Sequence, residues 1–264
     1  MPDPETTSAR LARYYDLDLL DDPGDLDLYL AMAERTDGPI LELAAGSGRL
    51  AVPLARAGYA VTAVDHDAAM LRRASEAWSA TRPSGRGRRA TDLEFVETDL
   101  TTLALGTRYG LAFIALNSLL LLDGSDAQRR AMRVLADHLR PGGLAIVDVL
   151  LPDAAELASY DGRVTLDWIR EDPETGEQVT KLSSARHDAA SATVTLTTLY
   201  DAVPPGTGLL RRTSRVDLLS LRSAGELVRD AQDAGLQVES LAGDHQVTPF
   251  GPGSERIVLI AVSV

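Results

Sequence analysis

A short run of small residues between two apolar segments carries the strongest chemical signal in this 264-residue sequence. Leu41-Glu42-Leu43 reads as the end of a strand, and Ala44 to Arg49 reads as a loop that opens a helix. Small residues let the polar groups of a ligand approach the backbone, and a helix N-terminus offers free N–H groups and a positive dipole end. The pattern predicts a site for a pyrophosphate or for the carboxylate of an amino acid.

Two acidic residues narrow this prediction. Asp65 ends the second predicted strand, where a carboxylate accepts hydrogen bonds from both ribose hydroxyls of an adenosine. Residues 46–51 also fit the dinucleotide pattern G-x-G-x-x-A, which is a weak match by itself. Glu42, at the strand end, would repel a diphosphate and attract the ammonium group of a methionine moiety. The sequence therefore favours a nucleoside that carries an amino acid.

The segment around Glu42 resembles motif I of the class I S-adenosylmethionine-dependent methyltransferases, the hh(D/E)hGxGxG type. Ala44 stands where that motif has its first glycine, a change that costs stability if φ is positive there. Further segments resemble the N-terminal Tyr-Asp pair, the ends of the second, third and fourth strands, and the turn before the fifth strand. They are, in chain order, Tyr14–Asp16, Val61–Leu71, Glu97–Leu100, Ala115–Ser118 and Leu139–Gly143.

The resemblance implies that S-adenosylmethionine is the cofactor and S-adenosylhomocysteine the product. It implies that Asp65 holds the ribose, that Asp99 meets the adenine amino group, and that Tyr15 covers the cofactor. The residues that it places at the cofactor are Tyr15, Glu42, Ala44, Gly46, Gly48, Arg49, Asp65, His66, Met70, Asp99, Leu100, Asn117 and Ser118.

The predicted strands alternate with helices up to residue 150, which predicts an α/β fold with a doubly wound, mostly parallel seven-stranded sheet. Capping-box patterns at Ser125 and Ser223 predict two helix starts, and the helix after Ser223 is expected to end at Gly235. The predicted strands of the sheet are Ile40–Leu43, Tyr59–Val64, Leu93–Glu97, Leu111–Leu116, Leu144–Val149, Gln237–Leu241 and Arg256–Val262, the last two as an antiparallel hairpin.

Between residues 160 and 220 the pattern changes to alternating, β-branched segments without helices, which predicts an inserted antiparallel meander. Its strands are expected at Arg163–Arg170, Val179–His187, Thr193–Val203 and Leu210–Leu219. We interpret residues 1–264 as a single methyltransferase domain. Its parts are a helical N-terminal lid at 1–37, a cofactor-binding core at 38–150, the insertion as a substrate cap at 160–220, and a closing helix with final strands at 221–264.

The meander resembles the extra sheet of small-molecule methyltransferases, especially those that act on sugar amines and other natural-product intermediates. Trp168, Arg170, Tyr200 and Arg212 lie on its strands, where they line an acceptor pocket or form a homodimer interface. The sequence does not separate these two interpretations.

The candidates for catalysis are His187 at a strand end of the meander, His245 in the final loop, and Asn117 at the fourth-strand end. A hydroxyl acceptor usually needs a base and a neutral amine needs no strong base, so the weak base signal favours an amine acceptor. The four histidines are far apart in sequence and cysteine is absent, which predicts no metal site. His138 is expected at the surface, and the basic segment Arg82–Arg89 is expected to be a solvated loop.

The net charge of −13 disfavours nucleic acids and anionic membranes as partners and favours a small neutral or cationic acceptor. The sequence shows no apolar leader at its N-terminus, and its longest apolar run is too short to cross a bilayer. We therefore expect a soluble, cytoplasmic enzyme. Two alternatives stay open: an NAD(P)-dependent oxidoreductase, and a fold relative that binds S-adenosylmethionine without transferring its methyl group.

Overall fold

The structure, a computed structural model, describes residues 5–81 and 92–264. The predicted basic loop Arg82–Arg89 lies outside the described residues. The chain divides into two compact units. We name Pro23–Leu151 with Arg222–Val264 the parallel-sheet unit, and Met1–Asp22 with Pro152–Leu221 the meander unit.

In the described residues, the helices and strands follow the chain in the order that the sequence predicts, with two additional short helices, the 3₁₀ helix Ser118–Leu121 and the α-helix Ala154–Ser159. The helices are α1 (Thr7–Asp18), α2 (Leu26–Thr36), α3 (Ala51–Ala57), α4 (Ala68–Thr81), α5 (Gly124–His138), α6 (Ala154–Ser159) and α7 (Ala224–Asp233). The strands are β1 (Ile40–Leu43), β2 (Val61–Asp65), β3 (Leu93–Glu97), β4 (Tyr109–Ile114), β5 (Leu139–Leu150), β6 (Asp161–Glu171), β7 (Gln178–Asp188), β8 (Thr193–Val203), β9 (Arg211–Ser220), β10 (Leu236–Ala242) and β11 (Arg256–Ser263).

The parallel-sheet unit contains a seven-stranded sheet in the order β10-β11-β5-β4-β1-β2-β3, which confirms the predicted fold. Strands β1 to β5 are parallel, and β11 runs antiparallel to both of its neighbours, β5 and β10. The residues of β1, β2 and β4 are all buried, as expected for strands that helices cover on both faces. The chain order reverses between β1 and β4, so the carboxyl ends of these two strands flank the crevice where such sheets bind ligands.

The core of this unit is aliphatic, with one aromatic contact beside the crevice. Tyr29 of α2 is fully buried and its ring centroid lies 4.3 Å from that of Phe113 on β4. Phe113 pairs in register with Glu42 on β1. The tyrosine therefore lies against the sheet at the level of the strand end that carries the chemical motif.

The meander unit contains the four antiparallel strands β6-β7-β8-β9, which confirms the predicted insertion. Its small core joins α1 to the sheet through Tyr14, Leu17, Val179, Tyr200 and Ala202. The aromatic rings of Tyr14 and Tyr200 lie 5.0 Å apart. Helix α1, although first in the chain, is thus part of the same unit as the insertion.

Asp18 at the end of α1 connects this helix to three strands. Its carboxylate accepts hydrogen bonds from Trp168 Nε1 at 2.8 Å, Lys181 Nζ at 2.7 Å and Tyr200 Oη at 3.0 Å. Burial and the Asp18 charge raise the pKa of Tyr200, so its hydroxyl remains a proton donor. A single carboxylate thus holds α1 against β6, β7 and β8.

Four local predictions were wrong. Helix α5 begins at Gly124 without a side-chain cap, because the Gln128 amide donates to the Leu119 carbonyl at 3.2 Å instead of closing a box with Ser125. The turn 141–143 lies within β5, which begins at Leu139. Strands β2 and β4 are displaced by one or two residues from their predicted ranges.

The fourth wrong prediction is that His138 lies at the surface. It is buried because it shares the inward face of α5 with Val134, whose carbonyl oxygen lies 2.7 Å from its Nδ1. Its Nε2 accepts the Leu105 N–H at 2.9 Å.

The capping box at Ser223 is confirmed, with both of its reciprocal hydrogen bonds present.

We predict that Asp18→Asn lowers the free energy of unfolding by about 1–2 kcal/mol, because hydrogen bonds to a charged acceptor are replaced by weaker ones. The measurement is urea denaturation followed by the fluorescence of Trp168 in a Trp78→Phe background. Glu171→Gln, at an exposed position of β6, is the matched control and should change stability by less than about 0.5 kcal/mol. Equal stability of the Asp18 and Glu171 variants would show that the Asp18 contacts do not hold the unit together.

Candidate active site

The loop between β1 and α3 has the backbone geometry of a ligand cradle. Gly46 and Gly48 have φ values of 56° and 81°, and the Gly46 N–H donates to Asp65 Oδ2 at 2.8 Å. A Cβ added to Gly48 would lie 2.9 Å from the Cβ of Ala74 in α4. Glycine at 48 is therefore required both by the left-handed backbone and by the close approach of α4.

Ala44 starts the loop in the left-handed region, with φ of 58°. An alanine there costs roughly 1–2 kcal/mol because its Cβ crowds the following carbonyl. The loop therefore stores strain at the position where the related motif has glycine, and strain of this kind is concentrated at ligand-binding sites.

Glu42 is almost fully buried at the end of β1, and its Oε2 has no hydrogen-bond partner among the described residues. Burial raises the pKa of Glu42 to about 8, opposed by Arg49 and reinforced by Asp25. A buried oxygen without a donor is costly, and an ammonium group would supply the missing donor. The site therefore fits the amino group of the expected methionine moiety.

Asp65 is buried at the end of β2, where the backbone fixes its carboxylate. Oδ2 accepts from Gly46 N–H, and Oδ1 accepts from Asp67 N–H at 2.9 Å. Each carboxylate oxygen has two acceptor sites, so both oxygens retain capacity for ribose hydroxyls. His66 is 84% exposed with Nδ1 3.5 Å from Asp65 Oδ1, and Met70 is buried in the first turn of α4.

Asp99 lies just after β3, so that Glu42, Asp65 and Asp99 follow one another along the carboxyl edge of β1, β2 and β3. Its Oδ1 accepts from the N–H and the hydroxyl of Thr101 at 2.7 and 2.8 Å. These hydrogen bonds lower the pKa of Asp99, which keeps this exposed carboxyl charged. The adjacent Leu100 is buried.

The segment after β4 has two consecutive left-handed residues, Leu116 and Asn117, with φ values of 42° and 66°. Asn117 Oδ1 accepts from Leu150 N–H at 2.7 Å and from Arg256 Nη2 at 3.1 Å. Ser118 begins a short 3₁₀ helix directly afterwards. The amide oxygen of Asn117 therefore anchors the turn to β5 and β11, which is a role in holding the site's shape.

The structure brings two further acids to this edge, Asp25 before α2 and Asp148 on β5, both without solvent exposure. Arg49 Nη2 donates to Asp25 Oδ2 at 2.7 Å, and Arg256 Nε donates to Asp148 Oδ1 at 2.7 Å. Sequence reasoning missed both acids. The only available signal was an aspartate inside the apolar segment 144–150. We name the buried carboxyls Asp25, Glu42, Asp65 and Asp148 the acidic edge.

His245 also reaches the acidic edge, with Nε2 3.0 Å from Asp148 Oδ2. This hydrogen bond raises the pKa of His245. Burial alone would raise the pKa of Asp148, but His245 and Arg256 outweigh it and the net pKa is lowered. The Tyr29 hydroxyl is buried without a partner among the described residues, and burial together with nearby Asp148 and Asp25 raises its pKa well above the ordinary value.

Three side chains with ligand-type atoms, Asp25, Asp148 and His245, come within 4.8 Å of one another. Arginines already neutralise both carboxylates, so we interpret the group as an ion-pair network. The absence of a metal site stays a prediction.

Other predicted residues belong to the meander unit. His187 is half-buried on β7, where its backbone N–H donates to the Tyr160 carbonyl at 3.0 Å. Tyr15 is half-buried on α1. Within the same unit, Trp168 donates to Asp18, Arg170 pairs with Asp21, and Arg212 pairs with Asp201. The roles predicted for these residues at a cofactor or an acceptor stay predictions.

Comparisons with known proteins agree with the geometry of the parallel-sheet unit. Residues 40–143 match a family described as "Methyltransferase domain". The chain is 24% identical over 267 residues to the Cypemycin N-terminal methyltransferase of a Streptomyces species, with 98% of each chain covered.

Solved structures extend the similarity to both units. The CcbJ methyltransferase from Streptomyces caelestis is 25% identical with a TM-score of 0.73, over 92% of this chain and 96% of that one. The sugar N-methyltransferase KedS8 from Streptoalloteichus sp ATCC 53650 is 21% identical with a TM-score of 0.72, over 94% and 92% of the two chains. In the described part of the chain, no helix is both long and apolar enough to cross a membrane.

We predict that Ala44→Gly raises the free energy of unfolding by about 0.5–1 kcal/mol, because relief of the left-handed strain exceeds the added entropy of the unfolded chain. Thermal and urea denaturation measure the change. Ala45→Gly is the control: Ala45 is buried without a positive φ, so this glycine should destabilise. A loss of stability in the Ala44 variant would contradict the strain that its φ indicates.

Proposed function

We propose that the chain is a class I S-adenosylmethionine-dependent methyltransferase and that it methylates an amine of a small-molecule natural-product intermediate. The main observation in support of a cofactor site is the Oε2 of Glu42, which lies buried beside the glycine loop without a hydrogen-bond partner among the described residues. The oxidoreductase alternative has no comparable support, because the matched family and the similar proteins reported above are methyltransferases. We further propose a cytoplasmic location and self-association through the meander.

Two observations support an amine acceptor. The net charge of −13 creates a negative potential that attracts cations rather than anions. Two of the similar proteins are named for N-methylation, the Cypemycin N-terminal methyltransferase and the sugar N-methyltransferase KedS8. An amine also needs only to lose a proton before it acts as a nucleophile, whereas an alcohol needs a base during the transfer.

In this mechanism the residues of the chain bind the cofactor and orient the acceptor. Glu42 pairs with the cofactor's ammonium group, Asp65 with its ribose hydroxyls, and Asp99 with its adenine amino group. The cofactor, when bound, supplies a methyl group on a sulfonium, which is already a good leaving group. The rate enhancement then comes mainly from holding the acceptor nitrogen in line and from excluding water.

The test is incubation of the purified chain with methyl-labelled S-adenosylmethionine and a panel of amino sugars, other primary and secondary amines, and matched alcohols. We expect label on amines and little label on the alcohols of the same skeleton. Binding of the cofactor without any labelled product would support a non-catalytic relative. Labelling of alcohols alone would overturn the amine assignment.

We predict that cofactor binding near pH 7 releases up to one proton from Glu42, because the protonated acid must ionise to pair with an ammonium group. Isothermal calorimetry in phosphate and in Tris, whose ionisation enthalpies differ, measures the release. Glu42→Gln should bind at least about 10-fold more weakly and release no proton. Unchanged affinity in this variant would remove the main support for the proposed site.

The same substitution should stabilise the unliganded chain above pH 8. The unfolded chain loses the Glu42 proton near pH 4.5 and the folded chain near pH 8, so folding stability falls as the pH rises through this range. Glutamine has no proton to lose. We therefore expect the free energy of unfolding of Glu42→Gln to match that of the wild type at pH 4 and to exceed it by up to about 5 kcal/mol at pH 8.5.

Asp65→Asn provides a separate measure of ribose recognition. We expect at least about a 10-fold loss of affinity for S-adenosylhomocysteine, since a charged acceptor that holds two hydroxyls becomes a neutral one. Asp67→Asn, two residues further along, is the matched control and should retain affinity within about threefold. Equal losses in both variants would indicate damage to the loop rather than loss of a ribose contact.

A further inference from the structure

A cavity of about 440 Å³ opens in the parallel-sheet unit, in the loop that joins β10 to β11. Its volume suits a small organic molecule. Pro23 and the loop residues 243–246, 248–249 and 251–256 form the wall, which is polar and rich in small residues. His245 and Arg256 are the two basic side chains in this wall. We name it the loop cavity.

The His245 ring has one fixed nitrogen and one that is available. Nε2 is 3.0 Å from Asp148 Oδ2, and the side chain is only 8% exposed. Nδ1 has no hydrogen bond to any residue that the structure describes. A histidine held through one nitrogen presents the other in a set orientation and tautomer. In the neutral form, Nε2–H donates to Asp148 and Nδ1 carries the lone pair.

The charges around His245 are mostly negative. Among the described residues, three acids and two arginines lie around the ring, and each arginine pairs with one of the acids. Those groups are Asp148 on β5, Arg256 on β11, Asp25 before α2 with its partner Arg49, and Asp244 on the same loop. An ammonium group is therefore favoured in the loop cavity while His245 is neutral, and the acids then stabilise the ring once it gains a proton.

Asp148 connects this wall to the end of β4. Its Oδ2 also accepts from Leu116 N–H at 3.3 Å, and Arg256, which binds Oδ1, donates to Asn117. The segment after β4 resembles the one beneath the methyl-transfer site of related enzymes. The buried carboxylate of Asp148 thus fixes both the His245 ring and the strained turn beside the expected transfer site.

We propose that the loop cavity binds the amine-bearing part of the acceptor and that His245, positioned by Asp148, is the base that deprotonates it. This inference rests on the proposed amine methylation. In the step, an N–H bond of the acceptor ammonium breaks and its electron pair stays on nitrogen. The proton goes to His245 Nδ1, and the neutral amine then carries the lone pair that methyl transfer requires.

The raised pKa of His245 suits the removal of a proton from an ammonium group. An alkylammonium holds its proton more strongly than an ordinary imidazole, and the Asp148 hydrogen bond raises the pKa of His245 towards that of the amine. Proton transfer is efficient when the two pKa values are close. Asp148 is therefore a positioning residue, and its effect should appear in the titration of His245.

The first test follows the four histidine Cε1–H signals by NMR in the full chain saturated with S-adenosylhomocysteine, with His245 assigned through His245→Asn. We expect the pKa of His245 to fall by about one unit in Asp148→Asn and to remain unchanged in Asp188→Asn, which lies beside His187. An unchanged His245 titration in a folded Asp148→Asn variant would overturn the positioning role.

The second test needs no variant. Backbone amide signals of the same complex are recorded with D-glucosamine, which carries an ammonium group, and with N-acetyl-D-glucosamine, which does not. We expect glucosamine to shift the signals of residues 243–256 with at least about 10-fold higher affinity. Equal effects of both sugars, or no glucosamine effect on this segment, would overturn the cavity assignment.

The two proposals can fail separately. Absence of S-adenosylhomocysteine binding would reject the proposed function itself. Tight binding of this nucleoside with an unresponsive His245 and an unresponsive loop cavity would reject only the present inference.

Discussion

The burial of negative charge at one edge of the sheet constrains everything else in the parallel-sheet unit. Removing an ionised carboxyl from water is expensive unless a proton, a counter-charge or hydrogen-bond donors compensate for it. The acidic edge uses all three means. Arginines neutralise Asp25 and Asp148, backbone N–H groups hold Asp65, and Glu42 keeps its proton.

These different solutions divide the edge into stable and responsive parts. Asp25 and Asp148 are tied to arginines from distant segments, and these ion pairs fix the local shape. Glu42 has an oxygen without a donor among the described residues and a pKa of about 8, so the proposed ammonium group would change its protonation state. The acid that we propose to recognise the ligand is therefore the one that folding has left incompletely satisfied, and binding would offset the cost of its burial.

The sequence was sufficient where a local pattern determines local structure. Glu42, Gly46 and Gly48 lie in one strand–loop–helix segment, and Asp65 ends the next strand, so short-range patterning placed them at one edge. Asp25 and Asp148 were not predictable, because their partners Arg49 and Arg256 lie 24 and 108 residues away. Neither acid has a signature until the fold brings these pairs together.

The two capping boxes show the same limit. Ser223 forms its box, whereas Gln128, in the equivalent position after Ser125, turns to the Leu119 carbonyl. Two segments that match the same capping-box pattern had different outcomes, because the 3₁₀ turn after β4 offers a competing acceptor to Gln128. His138 is a similar example, since its burial depends on the face of α5 that meets the rest of the unit.

The pairing of α1 with the insertion has a consequence for biosynthesis. Asp18 binds Tyr200, 182 positions later in the chain, and Trp168, 150 positions later. The first helix therefore leaves the ribosome long before its binding surface has been translated, and contacts this remote in sequence form slowly. Nascent chains should carry an unpaired, amphipathic N-terminal segment throughout most of elongation, which is a natural substrate for chaperones that bind close to the exit tunnel.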